Sequence, residues 1–459
     1  MTEHLTGPEP DPTRSFLDDF ATLSGFGALP NGGVERQAGT VADGAQRDWL
    51  AAWLRERGFT VLVDRIGNLF GVREWHPGAP YILTGSHLDS QPNGGRFDGA
   101  YGVLASAHAA WRLARHVDAV GADAFPYNLA VVDWFNEEGA RFIPSMMGSG
   151  VFTGKLDLDA ALATTDLAGV NVHDALAHIG YLGTDDLPEV IGYAEIHVEQ
   201  GRRLEDAGIT IGLVESTWAA RKYEVTVLGE QSHTGSTVMA DRRDALAGAA
   251  AFILQARELA ERHTSPALHT AVSQVVVEPN SPVVVAAKAT MNFDMRCENL
   301  ATIVEADRAV DAAIAGIEKR YRVQVIRRLT HEWAPQPYHS AGVDLALDAA
   351  ERLGLSNVRL QTIAGHDSTN MKDVVPSVML FVPSVDGIAH NVGELTSDDD
   401  CLAGVTLLTE VVARLCAGRL ADDHTPHPTS SDSSSQRSSR VAFSSSTAPS
   451  SALRRVRPS

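Results

Sequence analysis

One stretch constrains this chain more than any other: Gly85-Ser86-His87-Leu88-Asp89-Ser90-Gln91-Pro92-Asn93-Gly94-Gly95-Arg96-Phe97-Asp98-Gly99-Ala100. It follows Tyr81-Ile82-Leu83, a short apolar run that reads as a buried strand. It precedes Val103 to Ala114, which is apolar, alanine-rich and reads as a helix. Glycine lets the backbone turn sharply and pass close to a bound group. Between these glycines lie one imidazole and two carboxylates, at a strand end where α/β proteins place their chemistry. The stretch reads as a metal-holding loop whose remaining ligands come from later in the chain.

A second strand end has similar character. Leu129 to Phe135 is apolar apart from Asp133 and runs into Asn136-Glu137-Glu138-Gly139-Ala140-Arg141-Phe142. Successive strand side chains point to opposite faces. A loop beyond the last pleat can therefore aim Glu137 and Glu138 separately. A third run, Tyr193 to Gly201, alternates like a strand and puts Glu195, His197 and Glu199 on one face.

The rest of the chain supplies the frame. Residues 1–14 read as a loose lead-in, with a helix beginning at Ser15. Asp43 to Arg57 carries Trp49, Leu50, Trp53 and Leu54 at helical spacing. Val61 to Val63 and Asn68 to Val72 read as paired strands, and Ser145 to Tyr181 as mixed helix. The character changes near residue 214. Strand, helix, strand, strand, helix and strand follow in order up to Arg328, the pattern of a compact α+β unit with an antiparallel sheet and helices on one face. Alternating α/β character then resumes with helix Val343 to Leu353, strand Ser377 to Val382 and helix Asp400 to Leu420. The expected organisation is an α/β catalytic domain in two parts, residues 15–214 and 331–420, with an inserted α+β domain at 215–330. Residues 421–459 are rich in Ser, Thr and Pro and read as a disordered tail.

Composition excludes several classes. The 459 residues carry a formal charge of −20, which argues against a nucleic-acid partner. Cys297, Cys401 and Cys416 form no CxxC pair or framework, so a reducing compartment is the simpler reading. Met1-Thr2-Glu3-His4 is unlike a signal peptide, and no apolar run approaches the roughly 18 residues that span a bilayer. A cytoplasmic protein with no membrane contact is expected.

The candidates for metal are His87, Asp98, Glu138, His197 and His390, the last in Gly387-Ile388-Ala389-His390-Asn391-Val392-Gly393-Glu394. Imidazole and carboxylate suit zinc and its borderline neighbours. Two ions roughly 3.5–4 Å apart can share a carboxylate and acidify a water between them. Asp98, beyond a glycine-rich turn, is the natural shared group. Asp89 is placed to orient the His87 imidazole. Glu137, beside Glu138, is placed to move a proton from water to a leaving nitrogen.

At these residues the chain resembles the di-zinc aminoacylase/carboxypeptidase-like metallohydrolases. Within them it resembles the hydantoinase/carbamoylase branch: N-carbamoyl-L-amino-acid hydrolases, β-ureidopropionases and allantoate amidohydrolases. The motifs are GSHLDSQPNGGRFDGAYGV, NEEGARF, HVEQG, GEQSHTGSTVMADRRDAL, AGHDS and AHNVGE. The resemblance implies His87 and His197 on one ion, Glu138 and His390 on the other, and Asp98 between them. The ions would be zinc, with manganese, cobalt or nickel as alternatives. It implies Glu137 as base with Asp89 in support, and Gln200 and His366 at the substrate. It makes the inserted domain both lid and homodimer interface. From that domain His233 would reach an active site to stabilise an oxyanion. Arg296 would clamp the substrate carboxylate, which a guanidinium fork suits.

Two departures lie in the inserted domain. Val283 stands where the family usually has an asparagine, and Asn280 is the nearest polar alternative. His233-Thr234-Gly235-Ser236-Thr237-Val238-Met239 also lacks the usual proline. The expected activity is hydrolysis of a linear N-carbamoyl (ureido) amino acid to amino acid, carbon dioxide and ammonia. The rivals are an allantoate amidohydrolase, an N-acyl-amino-acid deacylase, a non-catalytic binder on the same scaffold and a partner-binding protein with a functional tail.

Overall fold

A computed structural model describes residues 12–186 and 189–420. The expected tail at 421–459 and the first eleven residues of the expected lead-in lie outside them. The first helix spans Pro12–Leu23, so it starts before Ser15.

In chain order the strands are β1 (Thr60–Val63), β2 (Leu69–Arg73), β3 (Tyr81–His87), β4 (Asn128–Trp134), β5 (Val190–Val198), β6 (Ile211–Thr217), β7 (Ala219–Leu228), β8 (Ser232–His233), β9 (His269–Glu278), β10 (Val284–Val285), β11 (Lys288–Cys297), β12 (Gln324–Trp333), β13 (Asn357–Thr362) and β14 (Ser377–Val382). Eight form a mixed sheet in the order β1-β2-β4-β3-β5-β14-β6-β13. Its centre is parallel: β3 pairs in parallel with β4 and β5, and β5 with β14. Every residue of β3, β4 and β14 is buried. Near-continuous apolar runs are what strands covered on both faces require.

Helices Ala100–Val120 and Asp398–Cys416 pack in the core of this sheet. Asp398–Cys416 begins with Ser397 accepting from the Asp400 N–H and with three aspartates in its first turn, a charge pattern that suits a helix N-terminus. Helix Val41–Glu56 is capped by Thr40, whose side chain accepts from the Asp43 N–H.

Four further strands form an antiparallel sheet in the order β12-β7-β11-β9. Along β11, buried and half-buried residues alternate strictly. The buried set (Ala289, Met291, Phe293, Met295, Cys297) forms a second core with helices Ala245–Arg262 and Leu300–Tyr321. Phe252 meets Phe293 edge-on at 5.2 Å, a geometry worth about 0.5–1.5 kcal/mol beyond its buried area. The opposite face of this sheet carries Lys222, Asp294 and Arg296. Among the described residues no helix is long and apolar enough to cross a membrane.

Candidate active site

The parallel strands deliver their carboxyl ends side by side, and the candidate residues lie there. His87 is the last residue of β3, which runs four residues beyond the apolar run Tyr81-Ile82-Leu83. Glu137 and Glu138 follow β4. His197 is the penultimate residue of β5, and His390 sits beyond β14. Crevices at the carboxyl ends of such strands are where open α/β sheets bind ligands.

Two groups of side chains have donor atoms close enough to hold a metal ion: His87, Asp98 and His197; and Asp98, Glu138 and His390. Asp98 belongs to both. Its Oδ1 lies 3.0 Å from His197 Nε2 and 3.6 Å from His87 Nε2. Its Oδ2 lies 3.1 Å from His390 Nε2, which is 3.4 Å from Glu138 Oε2.

The donor chemistry fits cations. His87 Nδ1 lies 3.0 Å from the Asp89 carbonyl, and His197 Nδ1 lies 2.9 Å from the Val198 carbonyl. A carbonyl only accepts, so both Nδ1 atoms carry the proton. In the neutral rings each Nε2 then presents a lone pair towards the Asp98 carboxylate. Two lone pairs facing a carboxylate repel it unless positive charge lies between them. The electrostatics agree. Burial opposes charge on His87, yet Glu137, Asp89 and Asp98 carry its pKa well above the ordinary value. Burial alone would raise Asp98, but positive charge at the surrounding imidazoles, His197 foremost, holds it well below the usual range. Burial and Asp98 push Glu138 up to about 7.

Glu137 is a different carboxylate. It belongs to neither group, and its Oε2 stands 3.5 Å from His87 Nε2. Burial, with Asp367, Glu138 and Asp89 adding, outweighs His87 and raises its pKa well above the ordinary value. A raised carboxyl can hold a proton as well as take one, which acid–base exchange near neutral pH requires.

The backbone around the site is held by carboxylates from other segments of the chain. Asp89 accepts the Glu137 N–H on Oδ1 at 3.1 Å and the Glu138 N–H on Oδ2 at 3.3 Å. Its carboxylate is 3.5 Å from His87 Nδ1, farther than its own carbonyl. The expected role of Asp89 is therefore redistributed: its main chain orients the imidazole, and its side chain positions the two glutamates. Asp133 accepts the Leu88 N–H at 2.9 Å, and the Gln46 amide donates to the Leu88 carbonyl at 2.9 Å. Glu394 Oε2 accepts the Phe97 and Asp98 N–H groups at 2.9 and 3.0 Å. Glycines make two of these approaches possible. A Cβ on Gly95 would stand 2.2 Å from Glu394 Oε2, and one on Gly99 (φ +64°) would strike the His87 ring at 2.3 Å. Asn136, Gln200 and His390 have positive φ of 54°, 58° and 52°, a conformation uncommon outside glycine that clusters at functional sites.

The substrate candidates divide. The Gln200 amide donates to Asp98 Oδ2 at 2.7 Å, so it is at the centre. The buried His366 ring lies 4.6 Å from that of His197. Burial and His197 drive its pKa well below the ordinary value, so it stays neutral, and its Nε2 has no protein partner. Arg296 donates through Nε and Nη2 to Asp294 and through Nη1 to the Ile363 carbonyl. Three of its five N–H donors are thus committed, and two remain. His233 and Asn280 are not brought to the cluster. Both are exposed, and His233 Nδ1 accepts from the Gly235 and Ser236 N–H groups of its own turn. Glu199 also points elsewhere, accepting from the Arg203 and Leu204 N–H groups.

Sequence reasoning assigned no role to Asp133, Glu394 or Asp367. Asp133 interrupts an apolar strand, and Glu394 closes the AHNVGE motif, so both carried a visible signal. Asp367 gave none beyond its place in AGHDS.

Residues 83–414 match the profile of peptidase family M20/M25/M40. A hydrolase of Mycolicibacterium smegmatis is 56% identical over 421 residues, covering 90% of this chain and 96% of that protein. An N-carbamoyl-L-amino-acid amidohydrolase of Rhizobium meliloti is 34% identical over 398 residues, covering 86% and 94%. The crystal structure of an amidase of the hydantoinase/carbamoylase family from Burkholderia vietnamiensis superposes with a TM-score of 0.83 at 35% identity, over 89% of this chain and 99% of that one. The chain belongs to peptidase family M20/M25/M40, in its hydantoinase/carbamoylase branch. As a member of that branch it is an amidohydrolase, and the mixed α/β architecture with a second, smaller sheet is that of the family.

Proposed function

We propose that this amidohydrolase cleaves the carbamoyl amide of a linear N-carbamoyl amino acid, releasing the amino acid, carbon dioxide and ammonia. One observation carries the reading: two donor groups share Asp98, and Glu137, outside both, stands 3.5 Å from His87. A binding protein on the same scaffold has no need of that extra carboxylate.

His87 and His197 would hold one divalent cation and Glu138 and His390 the other, with Asp98 common to both. Zinc is the first choice for this donor set, ahead of manganese, cobalt and nickel. The chemistry that two bound cations supply there is polarisation of the scissile carbonyl and acidification of water. Glu137 takes the proton of the attacking water and delivers it to the leaving nitrogen. Asp89 keeps Glu137 and Glu138 aimed by holding their backbone N–H groups. Gln200 and neutral His366 face the ureido group, and the two remaining donors of Arg296 take the substrate carboxylate. The four-stranded sheet and its helices, in this reading residues 215–330 between catalytic segments 15–214 and 331–420, form the lid and the homodimer interface. His233 would serve an oxyanion from there, with Asn280 the nearest polar substitute for the position held by Val283.

The test is a panel of carbamoylated α- and β-amino acids, allantoate, ureidoglycolate and N-acyl amino acids, scored for ammonia release with each metal. Carbamoyl acids should release ammonia. Glu137→Gln should lower turnover by about 10²–10⁴ while bound metal is retained. Turnover confined to N-acyl amino acids, or an unimpaired Glu137→Gln enzyme, would contradict the proposal.

A further inference from the structure

At one end of the open face of the four-stranded sheet stand two cations and one anion, apart from the Arg328–Glu224 and Lys288–Glu278 pairs farther along it. Lys222 on β7 lies directly across from Asp294 on β11 and from His331 on β12. Arg296 is two residues along β11 on the same face. Asp294 is already engaged by Arg296, at 3.1 Å through Nε and 2.9 Å through Nη2. Lys222 Nζ is left 3.8 Å from the same Asp294 Oδ2, beyond hydrogen-bond length. Its other neighbour is the Trp333 ring, 5.7 Å away. The side chains of Lys222, Arg296 and Asp294 are only 27%, 26% and 23% exposed. Lys222 is therefore left with no carboxylate at hydrogen-bond distance on this half-buried face. His331 adds no positive charge, since burial and Lys222 lower its pKa.

The face is tied to the catalytic centre. Arg296 Nη1 donates to the Ile363 carbonyl at 2.9 Å, three residues before His366, whose ring lies against His197. The charge of Glu137 acts on both Lys222 and Arg296. Lys222 has three donors, restricted hydration and a neighbouring anion committed elsewhere.

We infer that Lys222 is a specificity-determining residue whose ammonium, beside Arg296, receives the carboxylate of the acid substrate. The assignment rests on the hydrolase reading above. One carboxylate on the substrate neutralises the face, so an acid is selected over its uncharged amide.

The test uses the full-length, metal-loaded enzyme, the carbamoyl acid it turns over fastest, and the C-terminal carboxamide of that acid. Lys222→Met should raise KM for the acid by about 10- to 100-fold, the scale of a partly buried charge contact, with kcat little changed. KM for the carboxamide should stay within about threefold, which also shows that the variant is folded. Lys222→Arg, which keeps the charge, should restore most of the affinity. An unmoved KM for the acid, or an equal rise for acid and carboxamide, would overturn the role of Lys222 alone. Failure of the unaltered enzyme to hydrolyse any carbamoyl acid would overturn the parent reading, and this assignment with it.

Discussion

Glu394 accepts the backbone N–H of Asp98 at 3.0 Å, although 296 positions separate them in the chain. His390, four residues before Glu394, faces the carboxylate of the same Asp98 at 3.1 Å. The loop that brings one imidazole thus also fixes the backbone of the residue common to both donor groups. Asp89 does the same for Glu137 and Glu138, and Asp133 for Leu88. The backbones at Leu88, at Phe97 and Asp98, and at Glu137 and Glu138 are each pinned by a buried carboxylate from a distant segment.

Removing Glu394 should loosen this arrangement without deleting a ligand. Glu394→Ala leaves the Phe97 and Asp98 N–H groups unpaired and should weaken metal affinity by about 10- to 100-fold, as loss of a ligand-supporting partner does elsewhere. Glu394→Gln keeps an acceptor oxygen and should lose much less. Chelator competition on the purified proteins measures both. Equal affinity in Glu394→Ala and the unaltered protein would refute the role.

Asp89 should act on turnover more than on substrate binding. Asp89→Asn replaces one accepting oxygen with a donor that faces a backbone N–H. We expect kcat to fall by about 10- to 100-fold with KM nearly constant, because Glu137 loses its aim while Gln200 and Arg296 are untouched. A variant with normal kcat and a raised KM would point to a substrate-binding role instead.

A pH dependence of stability should arise far from the site. His108 is buried against Phe16, Trp53 and Trp111, with Nε2 3.0 Å from Asp19 Oδ2. Burial lowers its pKa, outweighing Asp19. As pH falls through 6.5 the unfolded chain takes up a proton that the folded chain resists, so stability is lost on acidification. His108→Phe removes this contribution, and Asp19 keeps its bond from Trp53 Nε1 at 2.8 Å. Thermal unfolding from pH 7.5 to 5.5 should show a shallower decline for His108→Phe. A parallel decline would refute the account.

The candidate metal residues were legible because His87, Glu138 and His197 end or follow apolar runs at strand termini, and Asp98 and His390 sit in short glycine-bearing motifs. The four-stranded sheet was legible because alternation along Lys288–Cys297 and alanine-rich helices mark a unit with one covered face. Strands β6 and β13 were not. Asn357–Thr362 mixes Arg, Gln and Asn into an edge strand, and its place depends on parallel pairing with Ile211–Thr217. Nor was the interlock of carboxylates. That Asp133 meets the Leu88 N–H depends on the β3–β4 register, which sets Ser86 beside Asp133. A bond from Glu394 to Asp98 depends on two loops meeting in space, and no local pattern encodes that.

The central claim is that His87, Asp98, Glu138, His197 and His390 jointly hold a pair of cations on which hydrolysis depends. Elemental analysis of the purified chain, alongside ammonia release before and after chelation, tests it most directly. The account predicts about two divalent ions per chain, loss of turnover on their removal and recovery on their return, with His87→Ala and His390→Ala each binding fewer. Full turnover of a carbamoyl acid by protein stripped of metal would contradict it.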